Sequence, residues 1–193
     1  DNSNIYTIAG NHDRQIVGDK DAHMRKTASK VLEWTADNLS PSNARFLKTL
    51  PVSMTIDDMF VMIHSSLVER DAYIFSPQEI SKNLKCMIQD FPNQRICFFG
   101  HTHIPMLINA KTVINDLRET RSFQLDRNDL YLINPGSVGQ PRDKCPLTSF
   151  AIFDTKDWKI TFIRKPYDFR LTQRLIIDHG LPERFARRLA VGV

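Results

Sequence analysis

Three short apolar runs in this 193-residue chain each end at a histidine or a few residues before one. The run at 5–9 stops at Gly10 and leads into Asn11 and His12, the run at 59–63 ends at His64, and the run at 95–99 stops at Gly100, ahead of His101 and His103. Brief continuous runs of β-branched and aromatic residues bounded by glycine read as strands buried on both faces, the mark of a mostly parallel sheet. Side chains just past the carboxyl ends of such strands project into the crevice where α/β proteins hold ligands. A single histidine at such a place is ordinarily a hydrogen-bonded side chain with no further role. Four of the six histidines fall there, so one pattern constrains fold and function together.

The rest of the chain supplies helices and a second kind of sheet. Val31, Leu32, Trp34 and Leu39 recur at helical spacing, and Ser40-Pro41 restarts a helix with serine as N-cap and proline in the first position. The runs 52–56 and 59–63, joined by Asp57-Asp58, form a hairpin. Ser76-Pro77-Gln78-Glu79 is a capping box that opens a helix reaching about Asp90, and Pro92 closes it. Between 104 and 164 the pattern becomes short β-like runs at 106–108, 112–114, 122–125, 130–133, 149–153 and 159–163, which predict an antiparallel sheet. The end of the chain returns to helix, with Leu171, Leu175 and Ile176 on one face and a break at Gly180-Leu181-Pro182.

Composition removes several classes of function. With 41% hydrophobic and 25% charged residues the chain is no disordered segment, and its length suits a single domain over 1–193. The apolar runs are far too short to span a membrane. A net charge of +4 permits an anionic substrate without requiring one. No basic stripe alternates with aromatics, so a nucleic-acid partner is not expected. Cys86, Cys97 and Cys145 are odd in number and widely spaced, which fits reduced thiols in a cytoplasmic protein and leaves them out of any ligand set.

Imidazole nitrogen and amide oxygen together suit Mn, Fe, Zn, Co or Ni rather than a thiolate-held structural zinc. In an extended loop His101 and His103, at i and i+2, point the same way, so each reaches one of two ions about 3.5–4 Å apart.

Gly10-Asn11-His12-Asp13, then His64, then Gly100-His101-Thr102-His103 resemble, in order and at strand ends, the later motifs of the calcineurin-like metallophosphoesterase superfamily. Asn134-Pro135-Gly136-Ser137-Val138-Gly139-Gln140-Pro141-Arg142 is similar to a stretch of its bacterial branch related to diadenosine tetraphosphatases and protein phosphatases, as are Tyr167-Asp168 and Gly180-Leu181-Pro182-Glu183. The resemblance covers essentially the whole chain. It implies an α/β (α+β) fold, a four-layer αββα sandwich of two mixed sheets flanked by helices, with the N-terminal strands missing. It also implies two divalent transition-metal ions, one held by Asn11, His64 and His101 and the other by His103. His12 would be the general acid, and Asn11, His12 and Arg142 would touch the substrate. The implied enzyme hydrolyses a phosphate monoester or diester: the cations polarise the phosphoryl group and activate water, and His12 protonates the departing oxygen. Its substrate would be a phosphorylated small molecule, a nucleotide or a phosphoprotein. Asp13 either orients His12 or favours a helix N-terminus, and Arg142 either binds phosphate or holds its loop.

The superfamily pattern opens with Asp-x-His and Gly-Asp motifs, yet nine residues precede Gly10 here. Two βαβ steps, roughly 60 residues, are therefore expected upstream of Asp1. Gly18-Asp19 and Asp21-Ala22-His23 imitate both motifs, but in the wrong order and in a polar segment without a strand, so they are not taken as ligands. Arg184, Arg187 and Arg188 read as a solvated basic helix end. A second possibility is a scaffold of the same fold that binds protein partners with weak or no catalysis. Retention of His12 separates the two, because a scaffold needs no acid.

Overall fold

In the computed structural model, which describes residues 5–19 and 29–193, one sheet lies between two hydrophobic cores. Strands β1 (Ser53–Ile56) and β2 (Phe60–Ile63) form the expected hairpin. Three residues, Asp57 to Met59, join the strands; the Met59 N–H donates to Ile56 O (3.0 Å) across Asp57 and Asp58, whose φ values of 51° and 48° are left-handed. Strands β3 (Ile96–Phe98), β4 (Met106–Ile108), β5 (Val113–Ile114) and β7 (Tyr131–Asn134) complete a six-stranded sheet in the order β1-β2-β3-β7-β4-β5. Within it β2, β3 and β7 run parallel. Strands β6 (Arg121–Gln124), β8 (Thr148–Asp154) and β9 (Lys159–Lys165) form a second sheet, ordered β6-β9-β8.

The two-sheet sandwich flanked by helices is thus present. The strands from 104 to 164, expected as one antiparallel sheet, divide between two. β7 is buried at all four positions, which suits an inner strand covered on both faces, and it lies parallel beside β3. Only the larger sheet is mixed; the smaller is antiparallel throughout.

The period of two along each strand sorts side chains between the cores. Ile96, Leu107, Tyr131 and Ile133 meet Trp158, Ile160 and Phe162 between the sheets. The alternate residues Cys97, Met106, Ile108 and Leu132 face Ile80, Leu84 and Met87 of helix α4 (Pro77–Asp90). The capping box of α4 closes as expected: Ser76 Oγ accepts the Glu79 N–H (3.2 Å), and the Glu79 carboxylate accepts the Ser76 N–H (2.8 Å). All three cysteines are free, and Cys97 and Cys145 are buried. Among the described residues no helix is long and apolar enough to cross a membrane.

Residues 5–9, expected as a buried strand, are not one. Ile5 and Tyr6 are exposed, and the segment is tied by a bond from the Ala9 N–H to Pro51 O (2.8 Å). β propensity becomes a strand only where a neighbour's backbone completes the ladder. Gly10 instead caps helix α1 (Asn11–Ile16), against which α2 (Ser29–Asn38) and α3 (Pro41–Thr49) pack. Ser40 caps α3 as expected, accepting the Asn43 N–H. At the other end, α5 (Phe169–Asp178), α6 (Arg184–Arg187) and a final 3₁₀ turn (Arg188–Ala190) pack on one another. The stripe expected on α5 is not buried as a unit, because Leu171 and Leu175 stay exposed.

Neighbours on α4 separate packing from composition. Met87 is 0% exposed and Ile88 61%. Met87→Ala is expected to lose about 2–5 kcal/mol and Ile88→Ala less than about 1 kcal/mol in urea denaturation; equal losses would show that α4 does not cover this core.

Candidate active site

The ends of the parallel strands are held beyond the ladder itself. The Gly100 N–H donates to His64 O and the Phe99 N–H to Ile133 O, both at 2.9 Å. Asn134, wholly buried at the end of β7, donates its amide to Gly100 O (2.8 Å) and Thr102 Oγ1 (2.9 Å) and accepts the Gly136 N–H (2.9 Å). Gly136 has φ 88°, and a Cβ there would lie 2.5 Å from Ser149 Cβ, so this turn requires glycine. The loop then returns to the histidines through the Arg142 N–H, which donates to His103 O (3.1 Å). Just past Arg142, the buried Asp143–Arg164 ion pair (2.9 Å) fixes the loop to β9.

His101 and His103 do not sit in an extended segment. Both are left-handed, with φ of 63° and 60°, and the Thr102 N–H turns back to Gly100 O (2.6 Å). The strand alternation expected for them therefore does not apply, because burying Thr102 against Asn134 coils the chain. Each ring has its own surroundings. His103 Nδ1 lies 2.8 Å from Gln140 O; a carbonyl can only accept, so Nδ1 carries the proton and Nε2 keeps its lone pair. The His101 ring donates to the Asp71 backbone carbonyl and stacks on Tyr73, with centroids 4.4 Å apart.

His64 Nε2 stands 2.9 Å from Asn11 Oδ1 and 3.1 Å from His101 Nδ1. Adjacent ligands of an octahedral ion with bonds of about 2.1 Å are about 3.0 Å apart. His64 Nε2 thus stands at the spacing of adjacent ligands from both an amide oxygen and a second imidazole nitrogen. Among the described residues no three His, Cys, Asp or Glu side chains form a metal-binding group, so Asn11 is what completes this trio. Gly10 makes room for it, since a Cβ there would come within 3.1 Å of the His64 ring. Behind it Arg14, buried in α1, grips Asp71 through two 2.6 Å contacts and Asp19 at 2.8 Å. Asp19 is thereby engaged away from the trio, while Asp21 and His23 lie outside the described residues.

All the residues singled out from the sequence, Asn11, His12, His64, His101, His103 and Arg142, line one cavity of about 450 Å³. Asp13 accepts the Gly10 N–H (2.7 Å), which assigns its hydrogen bond to the start of α1. The Arg142 guanidinium donates to Gln140 Oε1 (2.9 Å) inside the cavity, while backbone bonds and Asp143 hold the loop. Arg188, expected on a solvated helix end, is a further member of the lining. The break after α5 folds α6 back, with Gln173 Nε2 donating to Ala186 O (2.9 Å), and this carries Arg188 inward while Arg187 stays outside, paired with Glu183. Nothing in the sequence distinguishes those neighbours. Tyr73 and Asp71 also escaped notice, coming from a loop with no motif; Asn134 had a signal, as a polar residue closing an apolar run.

Burial lowers the pKa of every histidine in the cavity. His64 and His103 fall to about 4, helped by His101 and by Arg142 respectively. His101 and His12 are lowered too, His12 by burial and Arg142 against the opposing charge of Asp13. Burial, Arg142 and Arg184 bring Arg188 down to about 10.

Comparison with known proteins adds four findings. The family model of the calcineurin-like phosphoesterase superfamily domain matches residues 1–158. An uncharacterized protein of Methanocaldococcus jannaschii is 32% identical over 197 residues, covering 98% of this chain and 76% of its own length. The crystal structure of a metallophosphoesterase from Sphaerobacter thermophilus superposes with a TM-score of 0.81 at 30% identity, over 96% of this chain and 76% of that one. A hypothetical protein from Pyrococcus horikoshii shares the fold, with a TM-score of 0.76 at 20% identity over 98% and 74%.

The lowered histidine pKa values carry a signed consequence for the metal-free chain. Their folded values lie below the unfolded value of about 6.5, so acid favours unfolding. Stability is expected to be full above pH 6.5 and to fall as pH drops toward 4. Urea midpoints measured with chelator between pH 7.5 and 4.5 test this, and His64→Asn is expected to flatten the slope.

Proposed function

The chain belongs to the calcineurin-like phosphoesterase superfamily, and from that premise we propose that it hydrolyses a phosphate ester, with divalent metal ions as cofactors and His12 as proton donor. The placement of His64 Nε2 2.9 Å from Asn11 Oδ1 and 3.1 Å from His101 Nδ1, in a cavity that His12 and Arg142 also line, carries this proposal. Those three side chains would hold one ion, and His103 through Nε2 would hold another. Bound divalent ions polarise phosphoryl oxygens and make water a stronger nucleophile.

The protein's side chains account for the remaining chemistry. Arg142 and the Asn11 amide bind and orient the phosphate. Water forms the new P–O bond, the bond to the leaving oxygen breaks with its electron pair, and a His12 ring nitrogen delivers the proton that this oxygen takes up. Burial and Arg142 disfavour the charged form of His12. A phosphate anion lying between them opposes both effects and returns the proton to the ring where it is used. The substrate is accordingly a monoester or diester of a small molecule, a nucleotide or a phosphoprotein.

Mn-dependent hydrolysis of bis(4-nitrophenyl) phosphate by the native full-length protein, with elemental analysis of its metal content, tests the proposal. His12→Gln is expected to lower kcat by about 10²–10⁴ while leaving the metals bound, and the loss is expected to be larger for alkyl than for nitrophenyl leaving groups, which need less protonation. His64→Ala is expected to lose metal. A metal-loaded protein that turns over nothing would instead indicate a scaffold for protein partners.

A further inference from the structure

The cavity carries more positive charge than a single phosphate needs. Among the described residues that line it only Asp13 is acidic, and its carboxylate already accepts the Gly10 N–H. Arg142 donates to a neutral amide oxygen. Arg188 has no acidic partner among the described residues, and its buried Nε has no hydrogen-bond partner there. Its guanidinium is held over the Phe185 ring, 4.5 Å from the centroid, so it is placed without being neutralised.

The two arginines are not spread evenly. Arg142 is the strongest charged influence on His12 and His103, and Arg188 acts on both; on His101 Asp71 outweighs Arg142, and the groups acting on His64 are its fellow histidines and Asp71. The cavity therefore has a metal-ligand end, at Asn11, His64 and His101, and a cationic end, at His12, Arg142 and Arg188. Leu32, Ile176, Leu181 and Leu189 form an apolar wall to the same cavity. A proton donor stands beside the leaving oxygen, so charge gathered around His12 serves the leaving group.

We infer that Arg188, with Arg142, forms a second anion site on the leaving-group side, selecting phosphate esters whose leaving group bears a further phosphate and an apolar body. This rests on the phosphoesterase function proposed above and names its substrate class. The guanidinium supplies planar paired donors for phosphate oxygens, and the substrate neutralises a site that is otherwise self-repelling.

The test compares adenosine 3′,5′-bisphosphate with adenosine 3′-monophosphate, which differ only in the second phosphate. Both are titrated calorimetrically into metal-loaded full-length protein carrying His12→Gln, so that the ligand survives. The bisphosphate is expected to bind about tenfold tighter or better, as one charge-assisted contact provides. Adding Arg188→Gln is expected to remove that advantage, and Arg188→Lys to keep part of it and to serve if the glutamine variant does not fold. Equal binding of the two ligands, or an Arg188→Gln variant that weakens both alike, would overturn the second site. Hydrolysis of bis(4-nitrophenyl) phosphate by the wild type is read in parallel. Turnover without discrimination refutes the second site and leaves the phosphoesterase standing; discrimination without turnover does the reverse, and with it removes the assignment to a leaving group.

Discussion

Asn134 is wholly enclosed, and an enclosed amide must place both its donors and its acceptor on protein atoms. It does so by joining two loops that are far apart in sequence: the Gly100–His103 turn through Gly100 O and Thr102 Oγ1, and the 134–142 loop through the Gly136 N–H. Both loops bring side chains to the same cavity, His101 and His103 from one and Arg142 from the other. The coiled backbone at His101 and His103 is stable because Thr102 has this partner. Asn134 itself is placed by β7, which pairs in parallel with β3 up to Ile133 and with Met106 of β4 at Asn134, so the site inherits its rigidity from the sheet.

Electrostatics sets the second constraint. Four imidazoles and two guanidinium groups share one cavity, where burial and neighbouring positive groups hold the histidines and Arg188 toward their neutral forms. Neutral imidazoles are the form that binds metals, and burial favours that form, while the guanidinium groups make the cavity receptive to anions. The Arg14–Asp71 pair braces this arrangement from behind, with the Asp71 carbonyl turning the His101 ring. His64 Nε2 therefore stands close to both the Asn11 amide oxygen and the His101 ring through contacts with protein alone.

Much of the local structure could be read from residues alone, for local reasons. The Asp57-Asp58 turn, the Ser40 cap and the Ser76–Glu79 capping box are chemical units a few residues long, and they form wherever the chain allows. His64, His101 and His103 were legible because apolar runs ending in histidine announce a strand edge, whereas Asn11 and His12 reach the same cavity from α1. Partnership was not legible. Residues 5–9 have strand chemistry without a ladder, β7 looks like its antiparallel neighbours yet pairs in parallel with β3, and Arg188 looks like Arg187 yet faces inward.

By itself the sequence determined which side chains could do chemistry and the short-range turns and caps around them, because those depend on residue type and on contacts within a few positions. Tertiary structure decided how the strands were divided between sheets, that Asn11 completes a trio with two histidines 53 and 90 positions away, and that a loop arginine and a helix-end arginine share one cavity. Such choices depend on which distant backbone groups meet and which surfaces are shut off from water, and neither is a property of any short stretch of chain.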